Sequence, residues 1–389
     1  MKAVALAGVG MFPFGRHGDL TATEMGATAL QAALSEAGVH RGEFQATFCA
    51  TAYGGVAAGH RVLSSLALTG GPIIDVEAGC ASGGAALGLG AAAIQSGQYD
   101  TVLVLGIEKM PKGMIRSSFF PSWMETAGLA ATPAYFALRA QRLMIEQGMT
   151  SHDLADLVVK NRATGVLNPT AMFRSAVTRE QVLGSKLVCD PLHLWMLCSP
   201  NEGAAAVVLQ RADLAPPGSV RLLATSLRSH LPGSVLDEST PLCGLSEGEI
   251  TPPSTLAAED AYKRAGLGPA DLDLVECQDT DAARELMTWP ELGLCQAGQQ
   301  TQILADGSFG LGGRLPVNSS GGLLSKGEPL GASALGQIVE LVHQLRGEAG
   351  HRQVEAARVG LAHTIGRGAN ASVTILQAES HARPRGHKN

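Results

Sequence analysis

Residues 76–88 read VEAGCASGGAALG, a single cysteine in a small-residue turn with an alanine-rich helical segment opening behind it. The thiolate is the nucleophilic form of cysteine. At a helix N-terminus the macrodipole and free amides favour it, lowering a thiol pKa that starts near about 8.5. Cys80 is therefore a candidate nucleophile. The bland alternative is a small buried hydrophobe, the commoner fate of a lone cysteine. The other six cysteines, at 49, 189, 198, 243, 277 and 295, are scattered and form no CxxC pair. That pattern argues against a zinc site or a disulfide framework and for a reducing compartment.

The elements that must position Cys80 are duplicated along the chain. ALQAALSEAGVHRGEFQATFCATA (29–52) matches AAEDAYKRAGLGPADLDLVECQDT (257–280), with Cys49 and Cys277 in register. Each segment is an amphipathic helix ended by Ala-Gly, a turn and an apolar strand. VEAGCASGGAALGLGAAAIQ and VNSSGGLLSKGEPLGASALGQIVE form a second pair in the same order, each running from strand through turn to helix. Strands such as TVLVLGI and GAAAVVLQ are continuously apolar, as expected where helices cover both faces. The reading is an α/β chain of two similar halves, 1–217 and 218–379, followed by a polar tail at 380–389. An insert at about 110–195 interrupts the first half. Within it, SHDLADLVVKNRATGVLNP reads as a surface helix with a capping serine, stopping before Asn-Pro.

A chain of 389 residues can bury a large core. Its net charge of −6 and 16% charged residues lack the basic stripe that nucleic-acid binding needs. No apolar run approaches the roughly 20 residues of a membrane span, and MKAVALAGVGMFPFG lacks a signal-peptide cleavage pattern. The expected compartment is the cytoplasm.

VEAGCASGGAALGLGAAAIQSGQYDTVLVLGIEKMPKG, NEGAAAVVL, VECQDTDAARELMTWPELGLC, VNSSGGLLSKGEPLGASALGQIVELVHQLRGEAG and LAHTIGRGANASVTIL resemble, in order, the landmarks of thiolases. The branch they resemble is the sterol-carrier or lipid-transfer-protein type. The resemblance implies a five-layer α/β/α/β/α fold made of two duplicated halves, commonly dimeric. It also implies a CoA thioester as substrate, with no permanently bound cofactor, in a channel partly walled by the insert. The implied reaction makes or breaks a carbon-carbon bond beside a thioester carbonyl.

Carried over by position, Cys80 is the acyl acceptor. The partners depart from the family pattern. Where the family has GHPLG this chain has GEPLG, so Glu328 stands in the place of the histidine that takes the nucleophile's proton. Where the branch has His-Asp-Cys-Phe this chain has Gln278, Asp279, Thr280 and Asp281. A carboxylate in place of histidine puts negative charge where a thiolate must form, at about 1.4 kcal/mol per unit by which the thiol pKa rises. If burial raises its own pKa, Glu328 can serve as the base. Gln278 can donate a hydrogen bond but carries no proton. HTIGRG places His363 at a retained histidine, as oxyanion donor or proton carrier. Gly366 and Gly368 would let backbone amides approach the thioester. Lys109, Lys112 and Arg116, where the insert begins, are the candidates for CoA phosphates.

Three functions follow. The first is a thiolase-like acyltransferase that acylates Cys80 from a CoA or carrier-protein thioester. The second is a non-catalytic acyl-CoA-binding subunit. The third is a retro-aldol acyl-CoA lyase working with a small OB-fold accessory protein.

Overall fold

The structure of the protein, a computed structural model, describes residues 1–66, 68–113, 122–128, 131–231, 250–366 and 370–379. Arg116, Gly368, Cys243 and the tail 380–389 lie outside the described residues.

Eleven strands are described: β1 (Val4–Gly15), β2 (Ala46–Ala50), β3 (Ile73–Val76), β4 (Thr101–Lys109), β5 (Leu187–Cys189), β6 (Leu192–His193), β7 (Glu202–Arg211), β8 (Val220–Ser229), β9 (Leu274–Glu276), β10 (Val359–Ile365) and β11 (Asn370–Gln377). Nine of them form a sheet in the order β3-β2-β4-β7-β1-β8-β11-β10-β9, and β5 and β6 pair separately within the insert. The chain's duplication is visible in this order. β2, β4, β7 and β1 of the first half correspond to β9, β10, β11 and β8 of the second, with the same parallel and antiparallel pairings. A single parallel bridge between Val275 and Val317 stands where β3 lies beside β2. The halves join where Val4–Leu6 of β1 pair with Val220–Leu222 of β8.

The repeat extends to the helices. Ala22–Ala37 and Pro253–Ala265 each end on a left-handed glycine, Gly38 at φ 64° and Gly266 at φ 68°. These two helices lie on the outer faces. Between the half-sheets run two central helices, Ser82–Gln95 and Leu330–Arg346. Leu87 and Ile94 of one share a core with Leu335, Ile338 and Val342 of the other, with Val104 and Val207 from the first half-sheet and Ala362 and Leu376 from the second. The layers are thus α/β/α/β/α. Close passage of the central helices explains the glycine and alanine content of the first. A Cβ at Gly83 would lie 3.0 Å from the Ala334 side chain and 3.1 Å from that of Leu335.

The segment SHDLADLVVKNRATG forms a helix, Ser151–Gly165, but it is not the surface helix its polar residues suggest. Its cap is Thr150, whose side chain accepts from the Asp153 amide, and Leu154, Val158, Asn161 and Arg162 are buried. This helix packs against Ala282–Glu291 and Gly322–Lys326. The insert, although it interrupts the first half in sequence, therefore shares its core with the outer layer of the second: Tyr135, Leu154 and Val158 pack in one cluster with Ala257, Ala283, Leu361 and Val373. Among the described residues, no helix is long and apolar enough to cross a membrane.

Candidate active site

Cys80 sits in the turn between β3 and the first central helix. Gly79 holds φ 61°, a left-handed conformation that a Cβ would strain, and the turn is locked by its own hydrogen bonds. Ser82 Oγ donates to the Gly79 carbonyl at 2.6 Å and accepts from the Ala78 amide at 2.8 Å, while the Gly79 amide donates to Glu77 at 2.7 Å. The Cys80 side chain is thereby fixed just ahead of the helix N-terminus, where a partial positive charge favours a thiolate or an oxyanion. Gly366, predicted to approach the thioester, packs on this turn instead: a Cβ there would lie 2.6 Å from the Ala78 carbonyl oxygen and 3.2 Å from the Cys80 nitrogen. Its lack of a side chain makes room for the nucleophile's own loop.

The second half contributes Glu328, two residues ahead of the other central helix. Both of its carboxylate oxygens accept hydrogen bonds: Oε1 from Gln278 Nε2 at 2.7 Å and Oε2 from the Cys198 thiol at 3.2 Å. The backbone holds this group together. The Glu328 amide donates to the Ser199 carbonyl at 2.9 Å, and the Cys198 amide donates to the Thr280 carbonyl at 2.9 Å. Burial first, and then the neighbouring Glu328, hold the Cys198 thiol well above the ordinary range, so Cys198 is a neutral S–H donor. Sequence reasoning counted Cys198 only among scattered thiols. Nothing within one copy of a motif marks it, because its partners, the Thr280 carbonyl and the Glu328 carboxylate, come from the other half of the chain.

Cys80, Cys198, Thr280 and Glu328 line one cavity of about 1240 Å³, together with Tyr53, Phe136, Arg139, Arg162, Phe173, Trp195 and Arg284. Its wall is mainly insert; its floor is the N-terminal ends of the two central helices. The nucleophile candidate and the carboxylate that replaces the family's histidine thus meet in one space.

Other predicted residues do not join them. His363 is fully buried, outside the cavity lining, with Nε2 3.0 Å from Ser254 Oγ on the outer helix. It shares a face of β10 with Ile365, which lines the cavity, but sits two residues deeper along the strand. β10 pairs with β9 as β4 pairs with β2, which puts His363 at the register position of Leu105, a residue of the outer core. The neighbouring Thr364 faces the central layer, its Oγ1 2.8 Å from Ser372 Oγ. Burial, reinforced by Arg284, pushes the His363 pKa down to about 3, so the imidazole is neutral. Oxyanion and proton-carrier roles are both corrected. Asp279 is likewise structural: it accepts from the Leu323 amide at 2.6 Å, the Leu324 amide at 3.2 Å and Asn161 Nδ2 at 2.9 Å, holding the short helix Gly322–Lys326. Burial and the Glu285 carboxylate push its pKa up.

The expected phosphate contacts fare similarly. Lys109 Nζ donates to the Gly18 and Leu20 carbonyls at 2.7 and 2.5 Å and is committed to that loop, away from the cavity. Lys112 is exposed and does not line the cavity, although Gly113 does.

A family model for the thiolase N-terminal domain matches residues 4–182, and one described as thiolase C-terminal domain-like matches 249–378. An acetyl-CoA acetyltransferase of Methanothermobacter thermautotrophicus is 36% identical over 97% of this chain and 100% of its own length. The chain belongs to the thiolase family. Human sterol carrier protein 2 is 34% identical over 97% of this thiolase and 72% of the relative. Among solved structures, the Ltp2-ChsH2(DUF35) aldolase superposes with a TM-score of 0.85 at 24% identity, covering 98% of this chain and 99% of that one. That likeness bears on the fold alone. The family membership and its acetyltransferase relative make this chain a thiolase-like acyltransferase.

Proposed function

We propose that this thiolase acylates Cys80 from a CoA or carrier-protein thioester and forms or breaks a carbon-carbon bond, with Glu328 in the proton-transfer role that histidine has in the family pattern. The observation that carries this reading is the shared cavity: Cys80 and Glu328, one from each half, stand at the N-terminal ends of the two central helices and line the same 1240 Å³ space.

In the acylation step the Cys80 thiol proton passes to Glu328 as sulfur attacks the thioester carbonyl. The tetrahedral adduct then expels the CoA thiolate, which takes that proton, leaving acyl-Cys80 and free CoA. In the second step the Glu328 carboxylate, free of its proton again, takes one from the α-carbon of the acceptor, and the resulting carbanion attacks acyl-Cys80. The new carbon-carbon bond forms, the thioester to Cys80 breaks, and the proton restores the thiol. Cys198, a second thiol beside the pair, stays protonated and donates to Glu328 throughout, helping to hold the carboxylate in place. Helix N-termini favour the negative charge that develops on the carbonyl oxygen.

On this reading the enzyme needs no permanently bound cofactor and acts as a cytoplasmic homodimer, with residues 1–217 and 218–379 as its two halves. A retro-aldol reaction beside a small OB-fold partner is the second reading, favoured by the fold likeness to the Ltp2-ChsH2(DUF35) aldolase. Incubation with a panel of acyl-CoA thioesters, followed by intact-mass measurement, separates the two. The acyltransferase reading expects an adduct that Cys80→Ser abolishes. No adduct across the panel, with turnover of a hydroxylated acyl-CoA in the presence of a partner, overturns it.

A further inference from the structure

Arg162 is the charged group of the cavity that the chemistry above leaves unused. It lies on the inner face of the helix Ser151–Gly165, 6% exposed, and lines the same space as Cys80. Among the described residues its side chain makes no ion pair and no hydrogen bond, and its Nε is buried without a partner. The guanidinium carbon lies 4.3 Å from the centroid of the Phe173 ring. The other two buried arginines of the wall are neutralised, Arg139 by Asp281 and Arg284 by Glu291. Burial alone pulls the Arg162 pKa down to about 10, with no carboxylate opposing it. A buried guanidinium without a counterion is costly, and an anion arriving in the cavity would offset that cost.

Resting on the acyl-CoA reading of the cavity, we propose that Arg162 receives a carboxylate carried by the acyl part of the substrate, so that the preferred thioesters are those of dicarboxylic acids. Phe173 covers one face of the guanidinium, and its planar fork matches a carboxylate in two parallel hydrogen bonds. A phosphate of CoA is the other anionic group that could arrive. The burial of Arg162 favours the smaller carboxylate, while Arg174, exposed on the same wall, is suited to a hydrated phosphate at the mouth.

The test is equilibrium binding by titration calorimetry to the Cys80→Ser protein, with malonyl-, succinyl-, glutaryl- and adipyl-CoA, their neutral counterparts of equal chain length, and CoA itself. At least one dicarboxylic thioester should bind more tightly than its neutral partner. Arg162→Met should weaken that thioester by about a hundredfold or more and leave the neutral ones and CoA unchanged. Arg162→Lys, which keeps the charge but loses the fork, should fall between and guards against misfolding of the methionine variant. Equal loss for all thioesters and CoA would assign Arg162 to a phosphate and overturn the inference. So would a dicarboxylic series that never exceeds its neutral partners, or an Arg162→Met protein that binds as before. Because binding is read without chemistry, a missing acyl-Cys80 adduct in the wild type would sink the nucleophile reading while leaving this result to stand by itself.

Discussion

Replacing His363 by leucine, the residue at the matching position 105, tests whether this histidine is a neutral member of the outer core. Its pKa is about 3 in the folded protein, against 6.5 ordinarily. Between those values the unfolded chain binds a proton that the native state refuses, so stability falls as pH drops. The contribution is fully present above about pH 6.5 and is lost on acidification toward about pH 3, amounting to roughly 5 kcal/mol in all. The slope is about 1.4 kcal/mol per pH unit. The leucine variant has no such proton, so the stability difference between it and the wild type should shift by roughly 2 kcal/mol between about pH 6.5 and pH 4.5, whatever constant offset the lost Ser254 contact adds. Urea unfolding of both proteins at several pH values measures that difference, and taking it cancels the titration of buried acids common to both. A pH-independent difference would refute the placement of His363 in the outer layer. So would loss of Cys80 acylation in a variant that unfolds at ordinary urea concentrations, because a residue outside the cavity should leave that reaction intact.

Glu328→Gln should slow acylation of Cys80 by about 10²- to 10⁴-fold in a stopped assay of adduct formation, the usual worth of a positioned base; faster acylation would show the carboxylate to be only a repulsive neighbour of the thiol. Glu108, fully buried on β4, accepts from the Ala52, Tyr53 and Gly331 amides and so ties the cavity's rim in one half to the start of the central helix in the other. Glu108→Ala should cost about 3 kcal/mol or more in urea unfolding by stranding these donors, and an unchanged midpoint would show that they find other partners.

The duplication was legible because both repeats keep an amphipathic helix, an Ala-Gly stop and an apolar strand at one spacing, and the helix C-caps at Gly38 and Gly266 obey it. The turn that carries Cys80 was legible because a left-handed glycine, Gly79, precedes it and the helix behind it opens on small residues, Ser82 to Ala86. His363 was misdirected by motif identity. The repeat that aligns Cys277 with Cys49 already matches His363 to the core residue Leu105, deeper along the strand than Ile365, which lines the cavity, while Thr364 on the other face meets the nucleophile's helix. Arg162 and Asn161 were read as a solvent face because polar residues on an amphipathic helix ordinarily are one. Here Asn161 bonds to Asp279 and Glu285 in a buried network, and Arg162 faces the cavity. Cys198 needed tertiary structure, since only the fold brings the insert's exit to the second half's turn.

The insert's choice of neighbour has a consequence for synthesis. Leu154 and Val158 leave the ribosome well before Ala283 and Leu361, with which they share a core. Insert residues such as Leu143 and Val182 cover part of that helix early, but at ordinary translation speeds the part that meets the second half waits on the order of ten seconds for its partners. The nascent chain must shelter that part by transient contacts or by a chaperone, and the cavity wall on this side is among the last parts of the molecule to become rigid.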